Sequence, residues 1–351
     1  MEVRRIAPSF IPIIFFILIM PSISHASAGF LESFSGAVFL KTKATGKWAT
    51  AQKGTAVEPG DRVKTGEDGR ALVKLSDGTK LTIANLTELE ITGYSLKKSE
   101  RSASLFLSSG KMRAIVSKFS GRSDFKVKTP TAVSGVRGTD FIVMNQGEAN
   151  VLFGEDGQVE VTGDTGKPVA LKPAMMTEST AGSEALTPVR VEDGTALAEA
   201  RADLEAATDV EAPVAWERVK DLPDLLARWN LNYGHYLADS TRFKEALDVF
   251  EIAFDLTILP GIKAEARLER GTVYSRNMND PKRAIAEYME VIDEYDIEPF
   301  LENAVYSAGL IRMELKERDE ALRLFRRYIS DYPEGSHRST VEIFIRELEK
   351  E

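Results

Sequence analysis

The sequence predicts a two-part β + α chain: a β-rich sandwich or short solenoid followed by an α-helical solenoid. Three observations predict it. Short runs that alternate apolar and polar residues, cut by glycine turns, fill roughly 33–178. From about 226 the apolar period lengthens to that of a helix. Within that second part Ala246, Ala284 and Ala321 recur 38 and 37 residues apart, the mark of a stacked repeat.

The N-terminus comes first in chain order. Arg4 and Arg5 precede an uncharged apolar run from Ile6 to Ile23, and Ala26 and Ala28 give a small-x-small pattern. Together these form a secretory leader over residues 1–28, with cleavage expected after Ala28. An uncleaved anchor is the alternative reading, although the dense apolar block is short for a bilayer span of about 20 residues. The net charge is -9, and loss of Glu2, Arg4 and Arg5 leaves -10. An acidic chain excludes nucleic acid as the default partner, because phosphate binding needs a positive surface. With no cysteine, disulfides, thiol catalysis and lipid attachment at a thiol are excluded. The expected location is exported, periplasmic or otherwise outside the inner membrane.

The β-rich domain is placed at 29–178. Ala71, Val73 and Leu75 alternate with Leu72, Lys74 and Ser76, and Leu81 and Ile83 resume the period after Asp77-Gly78. Two such runs about Asp-Gly predict a hairpin with a primed turn. Val127 and Thr129, Phe141 and Val143, Val151 and Phe153, and Val159 and Val161 continue the alternation. Three segments carry a resemblance. Gly60-Asp61-Arg62-Val63-Lys64-Thr65-Gly66 is similar to a GDxVxTG turn. Ala71-Leu72-Val73-Lys74-Leu75-Ser76-Asp77-Gly78-Thr79 is similar to an LxDGS hairpin. Phe125 to Pro130 followed by Val136-Arg137-Gly138-Thr139-Asp140-Phe141 is similar to an FxVxTPxxxxxVRGTxF run. Over about 33–165 the chain therefore resembles the FecR-like domain, a periplasmic β-rich module. The resemblance implies fold and compartment more than an activity. Arg137 and Asp140 are the candidate site there, either as a ligand clamp or as an ion pair stitching a turn. Lys74, Lys80, Lys126 and Lys128 lie on the polar phase of their strands, as a basic stripe or simply a solvated face.

Residues 179–225 read as an acidic, partly helical and partly mobile linker. Eight acids stand against Arg190 and Arg201 between 181 and 211, and Thr195 to Ala207 is rich in alanine. Residues 226–351 read as three helical hairpins with a capping helix at Val341–Leu348. Gly234, Gly271 and Gly309 each precede a second helix bearing Ala246 with Phe250, Ala284 with Tyr288, or Ala321 with Phe325. Small residues let antiparallel helices approach, and the aromatic fills the groove between them. Pro281 starts a second helix, where its missing N–H costs nothing. Gly309, Ala321, Phe325 and Pro333 resemble tetratricopeptide repeats, although the spacing exceeds that family's. This resemblance implies a concave face that holds a peptide or protein, with Asn230, Asn232, Tyr233, Arg267, Arg270, Tyr306 and Arg312 as candidate contacts.

No catalytic arrangement is legible. His235 and His337 have no neighbours at metal-ligand spacing, and no nucleophile elbow, phosphate loop or dinucleotide fingerprint is present. An acid pair is the enzymatic route still open. No metal and no cofactor is expected. The function expected is a non-enzymatic envelope scaffold that binds a protein through its repeats. The alternatives are a periplasmic sensor subunit acting on a separate membrane protein, and a module binding envelope glycan through the β-rich part.

Overall fold

The computed structural model describes residues 27–136 and 138–350; the predicted leader, apart from Ser27 and Ala28, lies outside them. Its β part opens with β1 (Gly29–Ser35), β2 (Val38–Lys41), β3 (Trp48–Thr50), β4 (Ala56–Val57), β5 (Arg62–Thr65), β6 (Arg70–Leu75), β7 (Lys80–Ile83) and β8 (Glu88–Leu96). Then come the long β9 (Glu100–Ile115), β10 (Arg122–Lys128), β11 (Ala132–Val136), β12 (Asp140–Gln146), β13 (Ala149–Asp156), β14 (Val159–Gly163), β15 (Val169–Leu171), β16 (Met175–Ser179) and β17 (Val189–Arg190).

These strands form two layers joined through β9. The first half of β9 pairs with β8 and, in parallel, with β10. Its second half pairs with β7 and β12 in the other layer. The strand changes layer at Gly110, which has φ +97° and sits against Thr87 where a Cβ would collide. Both layers feed one core: Leu75, Leu81, Ile83, Phe141 and Leu152 from one, Leu89, Leu105, Phe125, Val127 and Val161 from the other. This is the sandwich form of the predicted β half.

The motif residues hold turns. Asp61 is buried and accepts from the N–H groups of Lys43 at 2.8 Å and Glu58 at 2.9 Å, while Gly60 takes φ +97°. The hairpin at Asp77-Gly78 is present, but its turn differs from the primed form expected. Gly78 N–H donates to the Leu75 carbonyl and Leu75 N–H to that of Thr79, and in this loop only Gly78 has positive φ. This is a type I turn closed by a left-handed glycine. Asp77 is left free to accept from Arg101 at 2.7 Å, an ion pair with both side chains buried.

The helical part has α1 (Ala196–Ala207), α2 (Trp216–Asp239), α3 (Phe243–Leu256), α4 (Pro260–Thr272), α5 (Pro281–Glu294), α6 (Phe300–Glu314), α7 (Arg318–Asp331) and α8 (Arg338–Leu348). Helices α2 to α7 pair as three hairpins, and α8 packs on α7 as the cap. One contact repeats. A Cβ on Gly234, Gly271 or Gly309 would lie 2.5, 2.5 or 2.6 Å from the ring of Phe250, Tyr288 or Phe325. Each first helix thus gives its glycine to the aromatic of the second, as the spacing predicts. A π-helical turn at Val273–Asn277 takes up extra length in the second repeat. Among the described residues no helix is long and apolar enough to cross a membrane.

The stretch 179–225 departs from the mobile linker expected. β17 pairs with β16, and Val191, Leu197, Ala200, Leu204 and Ala207 are buried. Thr195 caps α1 by accepting from the Ala198 N–H at 3.3 Å. Two of its acids are drawn into ion pairs, Glu205 with Arg201 and Asp203 with Arg218, while Glu192, Asp193, Glu199, Asp209 and Glu211 stay exposed. One face of α1 is apolar and packs on α2, within a core that extends to the sheet. Ile142, Met144, Val151, Phe153 and Met176 share a single core with α1, α2 and α3. β12 and β13 are accordingly buried on both faces.

Candidate functional site

The joint between the halves is built from residues of both. Glu178 on β16 pairs in register with Val151, whose side chain enters the core shared with the helices. There Glu178 meets Asn230 of α2, whose Nδ2 donates to Glu178 Oε2 at 3.1 Å. Both residues are buried, at 2 % and 0 % exposure. Burial pushes the Glu178 carboxyl up to about 7, against the lowering effect of the Asn230 hydrogen bond. Glu178 Oε1 and Asn230 Oδ1 have no partner. A proton on Glu178 supplies the donor that this pair of acceptors lacks.

Polar contacts reinforce the joint around its rim. Arg70 on β6 reaches the C-terminal end of α1 and donates to the carbonyls of Ala206, Asp209 and Ala212. A cation there meets the negative end of the helix. Its guanidinium also lies 5.6 Å from the Trp216 ring centroid at the start of α2. Arg201 of α1 grips Glu155 of β13 through two nitrogens, and Thr180 donates to Asp255 of α3.

Asn230, expected on the repeat groove, is therefore a joint residue. It falls on the same stripe of α2 as the buried Leu222 and Leu226, so it faces the sheet. Arg267 and Arg270 of α4 cross to the second-helix layer. Arg267 pairs with Glu287 of α5 at 2.9 Å, while Arg270 pairs with Glu287 at 2.9 Å and with Glu251 of α3. They line a cleft of about 600 Å³ between α3, α4 and α5, which Thr180, Ala181 and Gly182 also line. Asp248 also lines it, and burial pushes its carboxyl up to about 6 despite Lys244 and Arg270 nearby. Arg312 pairs with Glu317 at the end of its own hairpin. Tyr233 is half-buried and stacks on Trp229, with ring centroids 4.8 Å apart. Tyr306 lies flat on His337 at 3.9 Å. Asn232 is exposed on α2.

A first-helix surface that the sequence reading did not single out lies between α2 and α4. His235 Nδ1 is 3.7 Å from Glu269 Oε2, in a recess of about 250 Å³ that also includes Asp239 and Arg276. Burial raises the Glu269 carboxyl above its ordinary value. In the β part Arg137 lies outside the described residues. Asp140 is held by Arg113 of β9 through two hydrogen bonds of 2.9 and 2.7 Å, so it stitches β12 to its neighbour. Among the described residues no three His, Asp or Glu side chains gather as a metal site.

Comparison with known proteins follows these two parts. The FecR protein family matches residues 61–162, and a tetratricopeptide repeat family matches residues 303–335, the third hairpin. No curated protein matches the chain. Among solved structures, an assigned anti-sigma factor from Parabacteroides distasonis is 20 % identical over 40 % of this chain and 64 % of its own, with a TM-score of 0.33. The chain thus spans under two thirds of that relative's length. The C-terminal repeat domain of a Plasmodium falciparum FK506-binding protein is 19 % identical over 37 % of this chain and 93 % of its own, with a TM-score of 0.30. The first repeat domain of Spaghetti, solved with an HSP90 peptide, is 16 % identical over 36 % of this chain and 93 % of its own, also at 0.30. The chain carries an N-terminal FecR-like domain and a C-terminal tetratricopeptide-like repeat region, and both are non-catalytic interaction modules.

Proposed function

We propose that the chain is an exported regulatory subunit that takes a segment of a partner protein on its first-helix face and conveys occupancy to a membrane partner at the FecR-like domain. The observation that supports this reading is the common core. Ile142, Met144, Val151, Phe153 and Met176 pack with α1, α2 and α3, and the Glu178–Asn230 pair is sealed inside. A passive scaffold needs only two tethered modules. A fixed joint lets strain at one surface act on the other, because packed cores switch between discrete arrangements rather than deform smoothly. The leader-like N-terminus supports export.

Photocrosslinking in cells tests the reading. Probes at Asn232 and His235 on the first-helix face are compared with one at Arg326, exposed on α7. The expected result is one discrete protein adduct at Asn232 or His235 and none at Arg326. Repeating the experiment with Asn230→Ala is expected to change the yield of adducts formed by a probe on the FecR-like domain. No adduct on the first-helix face would remove the protein-holding role. An unchanged yield in the Asn230 variant would return the chain to a passive scaffold.

A further inference from the structure

The two halves carry opposite charge. Residues 29–178 hold 21 Lys and Arg against 17 Asp and Glu, whereas residues 179–351 hold 22 against 36. The acidity of the chain therefore belongs to its helical half, and the FecR-like domain is a positive body attached to it.

Part of that positive charge surrounds a cavity of about 330 Å³ at one end of the sandwich. Its walls are Lys118 and Phe119 from the β9–β10 connection and Arg122 at the start of β10, its floor includes Arg101, and no carboxylate is among its lining residues. The floor is rigid. Arg101 is 1 % exposed and fixed by Asp77 at 2.7 Å, by the Ser117 carbonyl at 2.9 Å and by Ser123 Oγ at 2.7 Å. Its guanidinium also lies 5.2 Å from the centroid of the Phe119 ring. Asp77 neutralises Arg101 from below, and neighbouring Asp124 turns to Lys126 at 3.0 Å. Among the described residues two exposed cations, Lys118 and Arg122, are left at the mouth. Two glycines keep it open. Gly138 has φ +61°, and a Cβ there would lie 3.1 Å from Lys118 Cγ; at Gly121 a Cβ would run into the Ser99 carbonyl.

We propose that this cavity binds an oxyanion of the phosphate class, clamped between Lys118 and Arg122 over the Arg101–Asp77 floor. A planar guanidinium and a flexible ammonium converge on the same space, which suits a tetrahedral anion offering several acceptor oxygens. A rigid floor lowers the ordering cost of binding, and acidic helices elsewhere on the chain leave the site as a local positive focus. The phosphate is supplied either free in solution or by a lipid headgroup.

Calorimetric titration of the purified chain with inorganic phosphate at low salt is the first arm. Flotation with phosphatidylglycerol or phosphatidylcholine vesicles is the second. Lys118→Ala/Arg122→Ala is compared with Lys47→Ala/Lys53→Ala, an equal change of charge elsewhere on the same domain. All four side chains are exposed, and circular dichroism checks that both variants remain folded. The expected result is millimolar or tighter binding of at least one probe, weakened by about tenfold or more in the first variant and little changed in the second. Binding of phosphate alone identifies a soluble phosphate source. Binding of phosphatidylglycerol vesicles with the same sensitivity identifies a headgroup. Equal weakening in both variants, or no binding of either probe to the native chain, overturns the proposal.

Discussion

Asn230 of the first repeat helix donates a hydrogen bond of 3.1 Å to Glu178 of the sheet, and both are sealed from solvent. The pair lies where apolar surface from both halves meets. Four expected outcomes follow from it and from contacts described above.

The joint is sensitive to pH. Burial holds Glu178 at about 7 in the folded chain, above the ordinary 4.5. A carboxyl raised in this way binds its proton more tightly when folded. Its stabilising contribution is therefore full below the unfolded value and is lost as pH rises from 4.5 through about 7. The change amounts to roughly 3 kcal/mol across that window. Thermal unfolding from pH 5 to pH 8 is expected to show a falling midpoint, with a shallower fall in Glu178→Gln. Identical slopes in the two proteins would discount Glu178 as the source.

Removing the amide leaves the acid alone. Asn230→Ala is expected to cost about 1–3 kcal/mol at neutral pH, because a buried acceptor loses its only donor. The cost should shrink near pH 5, where Glu178 carries its own proton. Denaturant titrations at the two pH values measure the difference.

The glycine–aromatic contacts set how closely the helices pair. In Gly309→Ala the new Cβ would lie 2.6 Å from the Phe325 ring. Overpacking of this kind costs about 1–3 kcal/mol, while alanine returns roughly 1 kcal/mol of helix propensity. A net loss of about 1 kcal/mol is expected. A smaller partner in Gly309→Ala/Phe325→Leu should restore part of it relative to Phe325→Leu alone. A fully additive double-mutant cycle would contradict the contact.

The buried Arg101–Asp77 pair gives the largest expected loss. Asp77→Ala leaves a cation at 1 % exposure without its counter-charge, and broken buried pairs cost about 3–5 kcal/mol. Chemical denaturation of the full chain is the measurement. A loss below about 1 kcal/mol would show that solvent reaches Arg101.

The sequence is most informative where one period governs a stretch. The alternation through Ala71, Val73 and Leu75 and the recurrence of Gly309, Ala321 and Phe325 both led to elements that are present. It is less informative where two surfaces compete for one segment. Phe141 and Val143 read as alternating strand residues, yet Ile142 and Met144 beside them are also apolar, a continuous run that indicates burial on both faces. The cover for that second face comes from helices later in the chain, α1, α2 and α3, and α1 lies in a stretch whose acids suggest a solvated linker. Asn230 shows the same difficulty from the helix side. A polar residue on the Leu222–Leu226 stripe was the available signal for a buried partner. Its partner Glu178 is 52 residues away in sequence, and spacing does not reveal such a pairing. Arg267 and Arg270 lie on α4, a first helix, but their direction depends on Glu251 and Glu287 of neighbouring helices.

The order in which the chain emerges gives the shared core a further meaning. Ile142, Val151 and Met176 come before Leu256, the last residue of α3 in the same core. Until α3 follows, the face of the sheet that carries them is bare apolar surface. A fragment that ends before α3 therefore keeps that face uncovered, so the β-rich part is expected to depend on the helices for its solubility.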